Sequence, residues 1–261
     1  MPPLATPPDA SLAPFDRLLA IMNDLRTHCP WDKVQTKESL RRLTIEEAYE
    51  LSSAIVADDW EEVKKELGDL LLHIVFYAKI ASESQGFGIE EVITQLCEKL
   101  VRRHPHIYAE VEAGDEGQVR QRWEALKLKE GNRSVLSGVP EALPALVKAF
   151  RLQEKARGVG FDWDTPEQVW AKVEEEAREF AEVRHDPDQA EAEMGDWLFA
   201  LINYARFANI DPEAALERTN QKFIRRFQYL ETQAQALGKQ LPDMTLAEMD
   251  VFWNEAKAKG L

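Results

Sequence analysis

Residues 60–84 read WEEVKKELGDLLLHIVFYAKIASES, and residues 189–209 read QAEAEMGDWLFALINYARFAN. Each stretch carries two acids three residues apart, Glu66 and Asp69 in one and Glu193 and Asp196 in the other, followed by an apolar run. Apolar residues recur with a helical period, and neither stretch contains proline. The longest nearly uncharged apolar stretch, Leu70 to Ala78, is far too short to span a bilayer. Both segments are therefore read as helices packed in a bundle. Residues i and i+3 share a helix face, so the acids of each pair point together. On helices that are apolar around much of their circumference, that face is the bundle interior, where an unpaired charge is very costly. Glycine inside a helix costs about 1 kcal/mol relative to alanine. Gly68 and Gly195 are accordingly read as admitting close approach of a neighbouring helix or ligand.

A second acidic pair precedes each first one: Glu47 with Glu50, and Glu176 with Glu179. The connection around Ala57-Asp58-Asp59 is short, so the flanking helices are expected to be antiparallel neighbours. Four carboxylates then converge between two helices and would repel one another. A hard divalent cation with oxygen ligands resolves this, with Mg²⁺ first and Mn²⁺ as its substitute. The expected ligands are Glu47, Glu50, Glu66 and Asp69 in one set and Glu176, Glu179, Glu193 and Asp196 in the other.

The two sets belong to a repeat. Trp31-Asp32, the Glu47 pair, the Glu66 pair and Lys99-Leu-Val-Arg-Arg103 recur in order as Trp163-Asp164, the Glu176 pair, the Glu193 pair and Lys222-Phe-Ile-Arg-Arg226. From Glu50 to Asp69 is 19 residues and from Glu179 to Asp196 is 17, with Trp123 or Trp253 following each basic cluster. Such matched order implies two copies of one helical module. The reading is an arm over 1–13, Pro-rich and disordered, a first module over 14–130, a polar linker over 131–139, and a second module over 140–261. Helices are expected at 14–27, 38–57, 60–84, 88–103, 118–130, 140–156, 166–184, 189–209, 212–237 and 245–258. Asp211-Pro212-Glu213 and Thr165-Pro166-Glu167 each give an N-cap, a first-turn proline and an early acid.

Composition narrows the function classes. The 261 residues carry 32 basic and 47 acidic side chains, a net charge of −15, so there is no general footprint for nucleic acid or an anionic membrane. A small phosphorylated substrate stays compatible, because a metal ion supplies positive charge locally. Two cysteines, Cys29 and Cys97, make no disulfide framework, and the N-terminal residues lack the basic and apolar regions of a signal peptide. A cytoplasmic protein is expected.

Phosphate chemistry needs cations on the substrate's oxygens. Lys222, Arg225 and Arg226 lie on one helix just after Asn220. Lys172 stands four residues before Glu176, on the same stripe. As a set they make a triphosphate clamp, and Trp253 can stack on a base or pack a terminal helix. His73 follows Asp69 by one turn and reads as a packed core histidine. No glycine-rich phosphate loop is present.

These residues resemble the MazG family of nucleoside triphosphate pyrophosphohydrolases. The resemblance rests on Cys29-Pro-Trp-Asp32 with Gln35-Thr36, the two Glu pairs with Glu66-Leu-Gly-Asp69, and Arg102-Arg103-His-Pro-His106. It continues through Val159-Gly-Phe-Asp-Trp163, Glu175-Glu176-x-x-Glu179, Glu193-x-Gly-Asp196 and Asn220-x-Lys222-Phe-x-Arg-Arg226. It implies an all-α fold of tandem helical-bundle modules, a homodimer, and Mg²⁺-dependent hydrolysis of a nucleoside triphosphate to the monophosphate and pyrophosphate. It assigns metal binding to the eight carboxylates above and nucleotide contacts to Lys172, Asn220, Lys222, Arg226 and Trp253. Catalysis would fall to Glu175, Glu176 and Glu179. Glu46 and Glu175 are the candidate proton acceptors, each turned about 100° from its neighbouring ligand. The copies differ: Leu43 stands at the place of Lys172 and Cys97 at that of Asn220. Triphosphate hydrolysis is therefore expected mainly in the second copy. The competing readings are a di-iron carboxylate bundle and a non-enzymatic helical interaction module. The first wants Glu-x-x-His, whereas Ser53 and Glu182 follow Glu50 and Glu179 at that spacing.

Overall fold

In the computed structural model, residues 5–109 and 134–261 are described, and every regular element among them is helical. The chain divides into two units, Met1–Ala113 and Gly114–Leu261. The helix expected over 118–130 and Trp123 lie outside the described residues, as do residues 1–4 of the arm and 131–133 of the linker.

The first unit holds α1 (Pro14–His28), α2 (Lys37–Val56), α3 (Trp60–Ser84), α4 (Ile89–Arg103) and the short α5 (Pro105–Tyr108). A 3₁₀ turn, Asp32–Val34, which periodicity did not reveal, joins α1 to α2. Thr36 starts α2 through a reciprocal capping box with Ser39, and Asp59 caps α3 by accepting from the Glu62 N–H. Between them Asp58 takes φ 56°, a left-handed conformation that its short polar side chain tolerates. The chain reverses within three residues, so α2 and α3 run antiparallel. Thr44 accordingly meets His73 and Tyr77, while Glu47 meets Glu66 and Asp69. Below this hairpin, Met22, Leu40, Val75 and Phe76 form the core, with Leu18, Leu43 and Leu72 packed on it.

The second unit holds α6 (Ala145–Arg157), α7 (Pro166–Val183), α8 (Pro187–Phe207), α9 (Pro212–Ala236) and α10 (Leu246–Ala258). Helix α6 begins at Ala145, later than the expected 140. A helix started at 140 would put Pro144 in its interior, removing a backbone donor and clashing with the preceding turn; Pro144 instead takes the N-cap position. Helices α7 and α8 form the second hairpin. Thr165 caps α7, Asp186 caps α8 and Asp211 caps α9, each accepting from backbone N–H groups in the first turn. No helix among the described residues is long and apolar enough to cross a membrane.

Helix α10, which carries Trp253, is fixed at its start by Thr245 and Glu248. Glu248 accepts from the Thr245 N–H at 2.8 Å and from Lys239 Nζ at 2.6 Å. Those bonds, the one from Lys239 first, hold its pKa down to about 2. A depressed carboxylate stabilises the fold above its unfolded value and loses that contribution as pH falls through the folded one. Glu248→Ala is therefore expected to melt below wild type at pH 7, with the gap closing between about pH 4.5 and 2. Paired thermal melts across that range check this; a gap independent of pH would contradict it.

Candidate functional site

Each hairpin brings three of its four carboxylates together. One oxygen each from Glu47, Glu66 and Asp69 lies within 4.8 Å of the others, and the same holds for Glu176, Glu193 and Asp196. Glu66 is 1% exposed and Glu176 7%, so one member of each triad is taken from water. Glu50 and Glu179 do not join these triads and are exposed, as is Asp196. Of the four acids expected to converge between the helices of each hairpin, three meet, and Asp196, expected to face the bundle interior, is exposed. One member of each set is buried, and the rest are half-buried or exposed. The i+3 step that keeps Asp69 and Asp196 in the triads carries Glu50 and Glu179 out of them, so the rotation of each helix within its hairpin decides which acids meet.

Crowding of like charge marks both sites. Burial, then Asp69, Glu50 and Glu66, pushes the Glu47 carboxyl above its ordinary value. Glu179 is raised by desolvation and then by Glu176, against the opposing pull of Lys172. The second oxygen of Glu66, Oε2, is buried without a hydrogen-bond partner. Oxygen-only donors, clustered negative charge and an orphaned buried carboxylate oxygen together fit a hard divalent cation such as Mg²⁺ or Mn²⁺. A di-iron site wants histidine nitrogen in the cluster, and neither triad includes one.

One lysine attends each buried glutamate. Lys172 Nζ lies 2.6 Å from Glu176 Oε1 and 2.7 Å from Glu175 Oε1. In the first module Lys65 Nζ lies 3.0 Å from Glu66 Oε1 and 2.6 Å from Glu62 Oε1. These carboxylates raise the pKa of both lysines, keeping them charged. The two candidate proton acceptors are also paired, Glu175 with Lys172 and Glu46 with Arg42 at 3.2 Å.

The remaining expected contacts lie on α9 and α10. Arg226 Nε donates to the Leu261 carbonyl at 2.7 Å, and its guanidinium lies 5.8 Å from the Trp253 ring centre. Trp253 also packs on Phe223, with ring centres 5.1 Å apart. Asn220 donates to Glu217, and Lys222 is exposed. Among the described residues no hydrogen bond or ion pair joins this group to the carboxylates. Lys172 is therefore the expected nucleotide contact that the fold places on the acidic triad. His73 is a core residue, as read from the sequence. It is 7% exposed, with Nδ1 2.8 Å from Thr44 Oγ1. A Cβ at Gly68 or Gly195 would meet no heavy atom within 4 Å, so neither glycine serves a close approach within the chain.

Two residues escaped the sequence reading. Lys65 was indistinguishable from a solubilising lysine. Arg206, 5% exposed, grips Asp162 with both terminal nitrogens, through Nη1 at 3.0 Å and through Nη2. It thereby pins the loop before α7. The signal for it was a lone arginine inside the otherwise apolar LFALINYARF.

Comparison with known proteins follows the same division. The model of the MazG nucleotide pyrophosphohydrolase domain matches twice, over residues 35–108 and 164–230. A nucleoside triphosphate pyrophosphohydrolase/pyrophosphatase MazG of Thermotoga maritima is 43% identical over 248 residues, covering 93% of this chain and 95% of its own length. A nucleoside triphosphate pyrophosphohydrolase of Escherichia coli K12 is 38% identical over 254 residues, covering 93% and 97% respectively. An uncharacterized protein of Bacillus subtilis, YabN, is 47% identical over 252 residues, which make up 51% of its length.

Proposed function

The chain belongs to the MazG family of nucleotide pyrophosphohydrolases and is an enzyme of that class, and from that premise we propose that it hydrolyses nucleoside triphosphates to the monophosphate and pyrophosphate, with Mg²⁺, mainly at the second module. The observation that carries the assignment to the second module is Lys172. It puts an ammonium on the buried carboxylate from α7, whereas the corresponding position of the first module is the apolar Leu43.

On this reading Glu176, Glu179, Glu193 and Asp196 hold the cation, which supplies positive charge to phosphate oxygens and makes water a better nucleophile at neutral pH. Lys172 Nζ moves from the carboxylates to a phosphate oxygen as the substrate enters. Its side chain is 35% exposed, so the shift needs no opening of the core. Glu175, exposed and freed from Lys172, accepts the proton of the attacking water at a carboxylate oxygen. The new P–O bond forms at the α-phosphorus and the bond to the bridging oxygen breaks, so pyrophosphate leaves. Asn220, Lys222, Arg226 and Trp253 complete the nucleotide contacts, with Trp253 presenting a ring face already backed by Arg226 and Phe223.

The module bounds 14–130 and 140–261, with a linker over 131–139, remain part of this proposal. So do a homodimer in the cytoplasm and the absence of nucleic-acid and membrane partners. Apolar surface supports the dimer: α4 buries none of its residues, and Leu67, Leu71 and Ile74 form an exposed stripe on α3.

The test is a pair of variants assayed on ATP and dGTP with Mg²⁺, with separate measurement of pyrophosphate and phosphate. Glu179→Ala is expected to lose on the order of 10²-fold in kcat/KM and Glu50→Ala to stay within about 3-fold of wild type. The reverse pattern would move the working site to the first module, and release of phosphate alone would change the reaction.

A further inference from the structure

Helix α10 ends in a turn that reaches back to α9. Gly260 takes φ 78°, in the left-handed region. Its N–H donates to the Lys257 carbonyl and the Leu261 N–H donates to the Ala256 carbonyl, both at 3.1 Å. These paired bonds make a Schellman turn, which satisfies two carbonyls at the helix end and needs a residue that tolerates positive φ. The Leu261 carbonyl is thereby brought to α9, where Arg226 Nε donates to it at 2.7 Å. Two neighbouring contacts fasten the same stretches of α9 and α10. Tyr229 donates to Glu255 at 3.1 Å, and Lys259 Nζ donates to the Tyr229 hydroxyl at 2.6 Å.

The turn takes Arg226 by Nε alone. The terminal nitrogens Nη1 and Nη2 hydrogen-bond to no described residue, and the half-buried guanidinium lies 5.8 Å from the Trp253 ring centre. Those two nitrogens are the fork that pairs with two oxygens of one phosphate. Holding a long side chain at its inner nitrogen removes rotamer freedom before a ligand arrives, so less is lost on binding.

We propose that the turn at 259–261 is a positioning element for the reaction: the Leu261 carbonyl holds Arg226 Nε so that Nη1 and Nη2 are presented together to the phosphate oxygens of the nucleotide. Gly260 is the residue on which the turn depends. The inference rests on the nucleotide contact proposed for Arg226 and deepens it. A Cβ at Gly260 would meet no heavy atom within 4 Å, so a substitution there acts through backbone conformation and not through a clash. Valine is strained at positive φ, so Gly260→Val opens the turn and withdraws the carbonyl from Arg226.

Steady-state kinetics on ATP and dGTP with Mg²⁺ test this in wild type, Gly260→Val, Arg226→Ala and the double variant. Gly260→Val is expected to raise KM about 10-fold with kcat within about 2-fold of wild type, as fits the loss of a pre-organised binding contact. Arg226→Ala should raise KM further. Adding Gly260→Val to it should change KM by less than about 2-fold, because a turn that acts only through Arg226 then has nothing to act on. Gly260→Asn, which tolerates the left-handed conformation, should keep KM within about 2-fold of wild type. The positioning role is overturned, and the proposed function left standing, by a wild-type KM in Gly260→Val, by a loss carried by kcat, by an equal rise in both backgrounds, or by an asparagine variant as impaired as the valine one. A wild-type KM in Arg226→Ala overturns the Arg226 contact as well, and failure of wild type to release pyrophosphate overturns the proposed function itself.

Discussion

Glu176→Gln is expected to lower kcat/KM for a nucleoside triphosphate by on the order of 10²–10³-fold, the scale seen when one preorganised charge-stabilising group is removed, while raising the melting temperature of the metal-free protein. The opposite signs come from one cause. Glu176 is 7% exposed and shares its triad with Glu193 and Asp196, and its charge pushes the Glu179 carboxyl upward. In the folded metal-free chain these acids repel one another; in the unfolded chain they separate. Glutamine keeps the shape and removes one charge, so the fold gains. Lys172 loses one partner but keeps Glu175 at 2.7 Å, and a partly exposed ammonium is hydrated at little cost. The same change removes an oxygen anion from the set that holds the cation, so binding and turnover fall together. Melting in EDTA and in Mg²⁺ separates the two effects: wild type should gain stability with Mg²⁺, and Glu176→Gln should gain much less. Glu47→Gln is the control. It should stabilise the metal-free first module in the same way and leave most turnover intact. If Glu176→Gln retained activity within about 3-fold, or melted below wild type in EDTA, the triad would not be the charged centre proposed for it.

The fold was legible because its determinants are local. Caps at Thr165 and Asp211, the short turn at Asp58 and the helical period of the apolar residues all act within a few positions of one another. The triads were legible in part for the same reason. Spacing along α3 places Glu66 and Asp69 on one face, and the short connection brings Glu47 opposite them. What spacing could not give was depth. Whether Glu50 lies in or beside the cluster depends on how far α2 is rotated against α3, which is set by Leu40, Leu43 and Leu72 in the core rather than by the acids. The lysines were opaque for another reason. A lysine's reach exceeds a helical turn, so its position on a helix wheel says little about which carboxylate it meets. Lys65 thus reaches its immediate neighbour Glu66 and Lys172 one a full turn away. Arg206 was beyond local reasoning altogether, since its partner Asp162 is 44 residues distant in the chain.

That pairing gives the largest stability effect expected in the molecule. Arg206→Ala should destabilise the second module by about 3–5 kcal/mol, the range for breaking a buried ion pair by removing one partner. Only 4% of the Arg206 side chain and 18% of Asp162 is exposed, so the aspartate cannot regain its hydration without the loop moving. Three further contacts depend on the same guanidinium: both Nε and Nη2 donate to Asn203 Oδ1, at 3.1 and 2.9 Å, and the group lies 4.6 Å from the Phe207 ring centre. Arg157, 3.6 Å from Asp162 on its exposed side, offers only a weak substitute. Arg206→Lys should recover less than half of the loss, because an ammonium cannot make the paired, planar contacts. The consequence reaches the site through the chain. Asp162 fixes the loop ahead of Thr165, which caps α7, and α7 carries Lys172, Glu176 and Glu179. Loss of the anchor should therefore fray the start of α7 and raise KM before it lowers the helical content. The first module offers the weaker contrast at Glu83, the 37% exposed partner of Arg26, whose own Nη1 also donates to the Asp32 and Gln35 carbonyls; Glu83→Ala should cost about 1 kcal/mol. Urea unfolding of the two variants, followed by circular dichroism, gives the comparison. If Arg206→Ala unfolds at the wild-type midpoint, the pair is not what holds this loop.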